Sequence, residues 1–212
     1  LFLGLEVFSL SLYVLAGIRK MRMDSVEAAL KYFLLGAFAT GFILYGIALI
    51  YGVTGTLELA TITSGLEADA NTLLLYAGFV LLFIGMAFKA AFVPFHMWTP
   101  DVYQGSATPI TAFMSTATNA TARAVRIRVV GISVIVTSIP WNKIVVVTAV
   151  LTMTVGNLLA LSQNNVKRML AYSSIAHAGY LLVGLVAFNQ VGSQGILYYI
   201  VVYTMMNMGA FG

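Results

Sequence analysis

The stretch Asn71–His96 reads NTLLLYAGFVLLFIGMAFKAAFVPFH, an apolar run broken by one formal charge, Lys89, and five residues later by Pro94. As a helix it is long enough to cross a hydrocarbon core about 30 Å thick. An ammonium group at that depth costs about 2.5–3.5 kcal/mol on insertion scales, so a lysine there points to function. Proline removes a backbone hydrogen bond and kinks or breaks the helix that carries it. Broken membrane helices line cavities in transporters, and water admitted at such a break reaches the buried charge.

The rest of the chain has the same character. It is 60% hydrophobic and only 8% charged, against roughly a quarter charged in soluble domains, which predicts an all-α integral membrane protein, a polytopic helix bundle. The net charge of +4 sits in short clusters flanking apolar runs, which is a topology signal and not a nucleic-acid footprint. Without cysteine there is neither a disulfide nor thiolate ligation of an iron–sulfur cluster. His96 and His177 are the only histidines, and neither lies in a metal-ligand cluster, which argues against a metal or haem site in this chain. The glycines form no phosphate-binding pattern, and Asn119-Ala-Thr121, though a glycosylation sequon, falls inside an expected span. Both ends stop within apolar sequence, so the chain reads as an internal fragment.

About seven spans form a single transmembrane domain over 1–212, near residues 1–18, 28–51, 72–97, 108–127, 144–161, 169–188 and 195–211. Val129–Ile139 is too short to cross alone; it extends the fourth helix or lies at the interface. Arg19, Lys20 and Arg22 follow the first span, and Lys167 with Arg168 precede the sixth. An even number of crossings separates these clusters, so the positive-inside rule puts both on the cytoplasmic side. Trp98 and Trp141 fall at span ends, where indole rings favour the headgroup region.

Few polar groups lie inside the spans. Glu6 lies about thirteen residues, roughly 20 Å of helix, before the first basic cluster, and Lys89 about eight residues, roughly 12 Å, before Met97. The two can therefore meet as a buried ion pair. Such a pair contributes little stability over apolar packing. Burial disfavours the ammonium and a nearby carboxylate favours it, so moving the two apart or together changes proton affinity. His96, in the interrupted segment, is a relay candidate or an interfacial histidine bonded to loop backbone. His177 sits among Tyr172, Ser173, Ser174 and Tyr180 in AYSSIAHAGY. That composition suits a hydrogen-bonded water wire, or bonding between helices. Lys167 lies at the cytoplasmic entrance of the same helix, where the positive-inside role alone also accounts for it.

Four stretches carry a family resemblance: LFLGLEVFSLSLYVLAG around Glu6, EAALKYFLLGAF from Glu27, FKAAFVPFHMWTPDVYQGSATPITAFMSTAT from Phe88, and NLLALSQNNVKRMLAYSSIAHAGYLLVGL around His177. The chain resembles the antiporter-like N subunits of bacterial NADH:quinone oxidoreductase, respiratory complex I. PFHxWxPD is common to all antiporter-like subunits and to multisubunit cation/proton antiporters, while GLEVFSLSLYVLAG and PDVYQGSATPITAF are similar to the N type. The resemblance implies a bundle of inverted five-helix repeats, each with a discontinuous helix, here the one near Pro94. It maps the family's proton-handling glutamate and lysine onto Glu6 and Lys89, and pairs the helix of His177 with that of Glu6.

One position departs from the family. Where a lysine is usual after MSTAT, this chain has Asn119, followed by Arg123 and Arg126. Asparagine hydrogen-bonds water but carries no proton at neutral pH. Either the linking proton step differs or Asn119–Arg128 is poorly determined sequence, and arginines at an outer helix end run against the positive-inside pattern. The resemblance further implies a multi-pass protein of the bacterial inner membrane that translocates protons, lies beside other membrane subunits and lipid, binds no nucleic acid, and leaves FMN, iron–sulfur clusters and quinone to other subunits. The competing readings are a subunit of a multisubunit sodium/proton antiporter and a structural membrane subunit without transport.

Overall fold

The computed structural model describes residues 2–58, 61–62, 72–118, 140–187 and 189–211, and every regular element among them is helical. Helix α1, Phe2–Ala16, ends beside the first basic cluster, and the Ser25 hydroxyl donates to the carbonyl of Ala16 at 2.8 Å. One carbonyl left open at a helix end is thereby satisfied. Helix α2, Met23–Thr54, has 32 residues, about 48 Å of helix, so it outruns a hydrocarbon core of about 30 Å. Its first turns, with Asp24, Glu27 and Lys31, project from one end. Gly55 stops it at φ 65°, a left-handed conformation natural to glycine.

Helix α3, Thr72–Lys89, ends inside the expected third span. The expected span, 72–97, carries an interruption at Pro94, and the helix closes at Lys89, ahead of the proline. Ala91 turns into the left-handed region at φ 57°. The Phe92 N–H returns to the Ala87 carbonyl and the Ala91 N–H to the Phe88 carbonyl, both at 2.9 Å. This is a Schellman closure with alanine in the place glycine usually takes. Non-helical backbone within a membrane protein needs partners for its polar groups. One comes from a distant helix: the Val93 N–H donates to Thr152 Oγ1 at 3.1 Å.

The chain re-enters helix at α4, Trp98–Gly105, bends at Ser106 and Ala107, and continues as α5, Thr108–Phe113, with Pro109 in its first turn. A π-helical turn follows over Met114–Thr118. The expected fourth span is helical as far as Thr118; its remainder, with Asn119, Arg123, Arg126 and Val129–Ile139, lies outside the described residues. Helices α6, Trp141–Leu161, α7, Val166–Val186, and α8, Gln190–Phe211, complete the order. Helices α2, α6 and α7 are long and apolar enough to cross a membrane, and α1 and α3 are shorter apolar helices.

Close packing follows small residues, as expected where lipid offers apolar surface equal to that of leucine. A Cβ placed on Gly46 of α2 would lie 2.7 Å from the Gly78 carbonyl of α3, and one on Gly156 of α6 would lie 2.7 Å from the Ala176 nitrogen of α7. The tryptophans depart from the expected orientation toward headgroups. Trp98 is 7% exposed and Trp141 2%, both turned into the chain's own core. Trp98 stacks on Tyr32, with ring centroids 4.7 Å apart, and Trp141 meets Phe83 at 5.6 Å. Burying these large rings against aromatic partners gains more than leaving them at the surface.

Candidate functional site

Three helices converge where α3 ends. Lys89, in the last turn of α3, extends its ammonium to Glu6 Oε1 of α1 at 2.7 Å, and the two side chains are only 13% and 19% exposed. A cation in the last turn also complements the negative end of the helix dipole. The Lys89 ammonium donates in addition to Ser9 Oγ at 2.7 Å, and the Thr40 hydroxyl of α2 donates to Glu6 Oε1 at 2.9 Å. Desolvated charges survive at low cost only with partners of this kind.

Sequence reasoning named the two charges but not the two hydroxyls. Ser9 was legible, being one turn after Glu6 on the same face of α1. Thr40 was not, because which hydroxyl of α2 faces α1 depends on how the helices are rotated against each other.

His96 lies in the break, half-buried, with its Nδ1 buried and without a hydrogen-bond partner among the described residues. His177 meets α8: its Nδ1 is hydrogen-bonded to the Tyr199 hydroxyl, and its ring lies 4.9 Å from that of Tyr203. Tyr180 meets the same imidazole edge-on, and its hydroxyl accepts from Asn157 Nδ2 of α6 at 3.0 Å. Ser174, expected with this cluster, donates to the Ala171 carbonyl of its own helix. Among the described residues, the hydrogen bonds of Glu6 and Lys89 run to each other, Ser9 and Thr40, and not to His96, His177 or Lys167. Asn119 lies outside the described residues.

A second set of charges gathers where both basic clusters emerge. Lys167 donates to the Ser106 carbonyl at 2.9 Å, within electrostatic range of Arg19 and Arg22. Both clusters thus occupy one end of the bundle. Asp101 of α4 accepts from Arg168 at 2.6 Å and from Lys31 at 2.9 Å, and Lys31 also pairs with Glu27 at 2.7 Å. Partial burial pushes the Asp101 carboxyl up, but the hydrogen bonds and charges of Lys31 and Arg168 outweigh it and hold the group below its ordinary value. The short α4 is thus bound to α2 and α7 on the far side of the break from Lys89. Among the described residues no cluster of histidine, cysteine or carboxylate suits a metal ion.

A polytopic helical bundle whose interrupted helix offers a buried lysine to a glutamate on a neighbouring helix defines a membrane protein of the antiporter-like class. The family described as NADH:quinone oxidoreductase/Mrp antiporter, transmembrane, matches over residues 1–212, and the chain belongs to it. It is 55% identical to the NADH-quinone oxidoreductase subunit N of Salinibacter ruber, over all of this chain and 42% of that protein. With subunit N of Trichlorobacter lovleyi the identity is 54%, over all of this chain and 44% of the relative. The chain thus spans less than half the length of these relatives. Among solved structures, respiratory complex I from Thermus thermophilus with bound aureothin contains a chain 44% identical, matched with a TM-score of 0.83 over 99% of this chain and 44% of that one. The Mrp complex from Dietzia sp. DQ12-45-1b contains one 26% identical, with a TM-score of 0.87 over 99% of this chain and 39% of that one.

Proposed function

We propose that the chain is part of a proton-translocating N-type membrane subunit of NADH:quinone oxidoreductase. The observation that carries this reading is the largely buried Lys89–Glu6 pair, 2.7 Å apart at the broken end of α3. Lys89 holds the transferable proton, and Glu6 tunes its affinity by distance, since an opposite charge nearby favours the ammonium and its withdrawal disfavours it. His96 and His177 relay protons through water, and Lys167 stands at the cytoplasmic entrance. Asn119, in the position of the family lysine, carries an amide, which hydrogen-bonds but does not titrate at neutral pH. Quinone reduction on other subunits drives the cycle by moving helices and charges, and this chain performs no redox chemistry. FMN, the iron–sulfur clusters and quinone belong to those subunits.

The greater identity to N subunits than to the Mrp chain supports this reading over a sodium/proton antiporter. The test is Lys89→Ala in the full subunit within the whole complex, reconstituted in vesicles. The proton-to-electron ratio during NADH oxidation is expected to fall. An unchanged ratio would remove Lys89 from the mechanism and favour a structural role.

A further inference from the structure

We propose that Ser9 and Thr40 are positioning residues for proton transfer at Lys89, Ser9 as a fixed acceptor for the ammonium and Thr40 as a fixed donor to the carboxylate. The inference rests on the proton-handling reading of the Lys89–Glu6 pair.

Each hydroxyl has its polarity set by geometry. Ser9 Oγ donates its own proton to the Leu5 carbonyl one turn back at 2.7 Å, so what it presents to Lys89, also at 2.7 Å, is a lone pair. Ser9 is 7% exposed, and water does not readily replace it. Thr40 cannot accept from a carboxylate, so at 2.9 Å from Glu6 Oε1 it donates. That same oxygen receives Lys89 at 2.7 Å. The two hydroxyls therefore act together: an acceptor favours the ammonium and a donor favours the carboxylate, so both favour the charge-separated pair. They come from α1 and α2, whereas the lysine comes from α3. A relative movement of any of these helices breaks at least one contact and tips the pair toward neutral. Of the three N–H donors of Lys89, two are used in this way.

Other titratable groups lie near. Tyr13 on α1 lies within electrostatic range of Glu6 and beside Ser9, and Tyr32 on α2, Tyr103 on α4 and Tyr172 on α7 line the adjoining core. His96 lies in the break, and a limb that it sets stays put in every hydroxyl variant and is not one of the two limbs read below.

The experiment measures NADH-driven proton uptake against pH by the whole reconstituted complex, with quinone reductase activity as the check on assembly. Thr40→Val removes the donor, and the acidic limb should move up by roughly one pH unit, the worth of one hydrogen bond to a charged group. Ser9→Ala removes the acceptor, and the alkaline limb should move down by a similar amount. Thr40→Ser and Ser9→Thr keep the hydroxyls and should restore the parent limbs, and Thr40→Ala replaces valine where valine disturbs assembly. Unshifted limbs in Thr40→Val or Thr40→Ala and in Ser9→Ala, whatever the amplitude, overturn the proposal. If Lys89→Ala abolishes uptake while those limbs stay put, only the positioning role is lost; if Lys89→Ala pumps normally, the proton-handling reading goes as well.

Discussion

The indole N–H of Trp98 donates to the Phe88 carbonyl at 3.0 Å, so the first residue of α4 holds down the end of α3 one residue before Lys89. The break is thus bridged: its two flanking helices are joined by a hydrogen bond and by stacking of Phe88 on Trp98, with centroids 5.8 Å apart. The lysine sits at the edge of a fixed gap in the helix.

Trp98→Phe should keep the aromatic contact with Tyr32 and lose the hydrogen bond. A buried carbonyl robbed of one donor costs about 1 kcal/mol, with Ala91 still bonded to it. The purified complex is expected to show a lower unfolding temperature for this subunit and a reduced proton-to-electron ratio. A parent ratio would show that the bridge does not position Lys89.

Ala91 occupies the left-handed region at φ 57° and is 6% exposed. A β-branched residue tolerates that conformation poorly, so Ala91→Val should destabilise the subunit by about 2 kcal/mol or more. Ala91→Gly relieves backbone strain and gives up one buried methyl, and the two nearly offset. Thermal unfolding in detergent should place glycine close to the parent and valine well below both.

The Asp101 network predicts a particular pH dependence. Its carboxyl is held below the unfolded value of about 3.9, so its contribution is full above that value and is lost as pH falls through the folded one. Between pH 5 and 8 hydrogen exchange in α4 should therefore owe nothing to Asp101 titration, and protection should drop only in stronger acid. Asp101→Asn should weaken protection of α4 already at neutral pH, because Lys31 and Arg168 lose their charged partner. Equal protection in parent and variant at pH 7 would count against the latch.

Tyr199→Phe removes the hydroxyl hydrogen-bonded to His177 and leaves the ring stack with Tyr203. Under the proposed function, proton uptake should fall several-fold while quinone reductase activity persists. Normal uptake would leave His177 with a packing role.

The membrane class, the helical content and the two charges were legible in the sequence because each follows from local properties: run length, composition and the cost of an ion in hydrocarbon. The convergence of the basic clusters followed from counting crossings. The interruption of the third run was legible in Pro94, but the residue at which α3 closes was not: the helix ends at Lys89 through Ala91, a residue with no breaking tendency of its own. The tryptophans were misassigned for a related reason, as an indole near a span end carries no mark of whether it faces lipid or another helix.

By itself, then, the sequence determined that this chain spans a membrane, that its third apolar run is interrupted, and that Glu6 and Lys89 are too costly to bury without a purpose. Only the tertiary structure decided that they meet, that Ser9 and Thr40 complete the contact, and that Asp101, Lys31 and Arg168 bind α4 on the other side of the break. Burial cost is set by each residue alone, whereas partnership depends on the rotation and crossing of the helices that carry the partners.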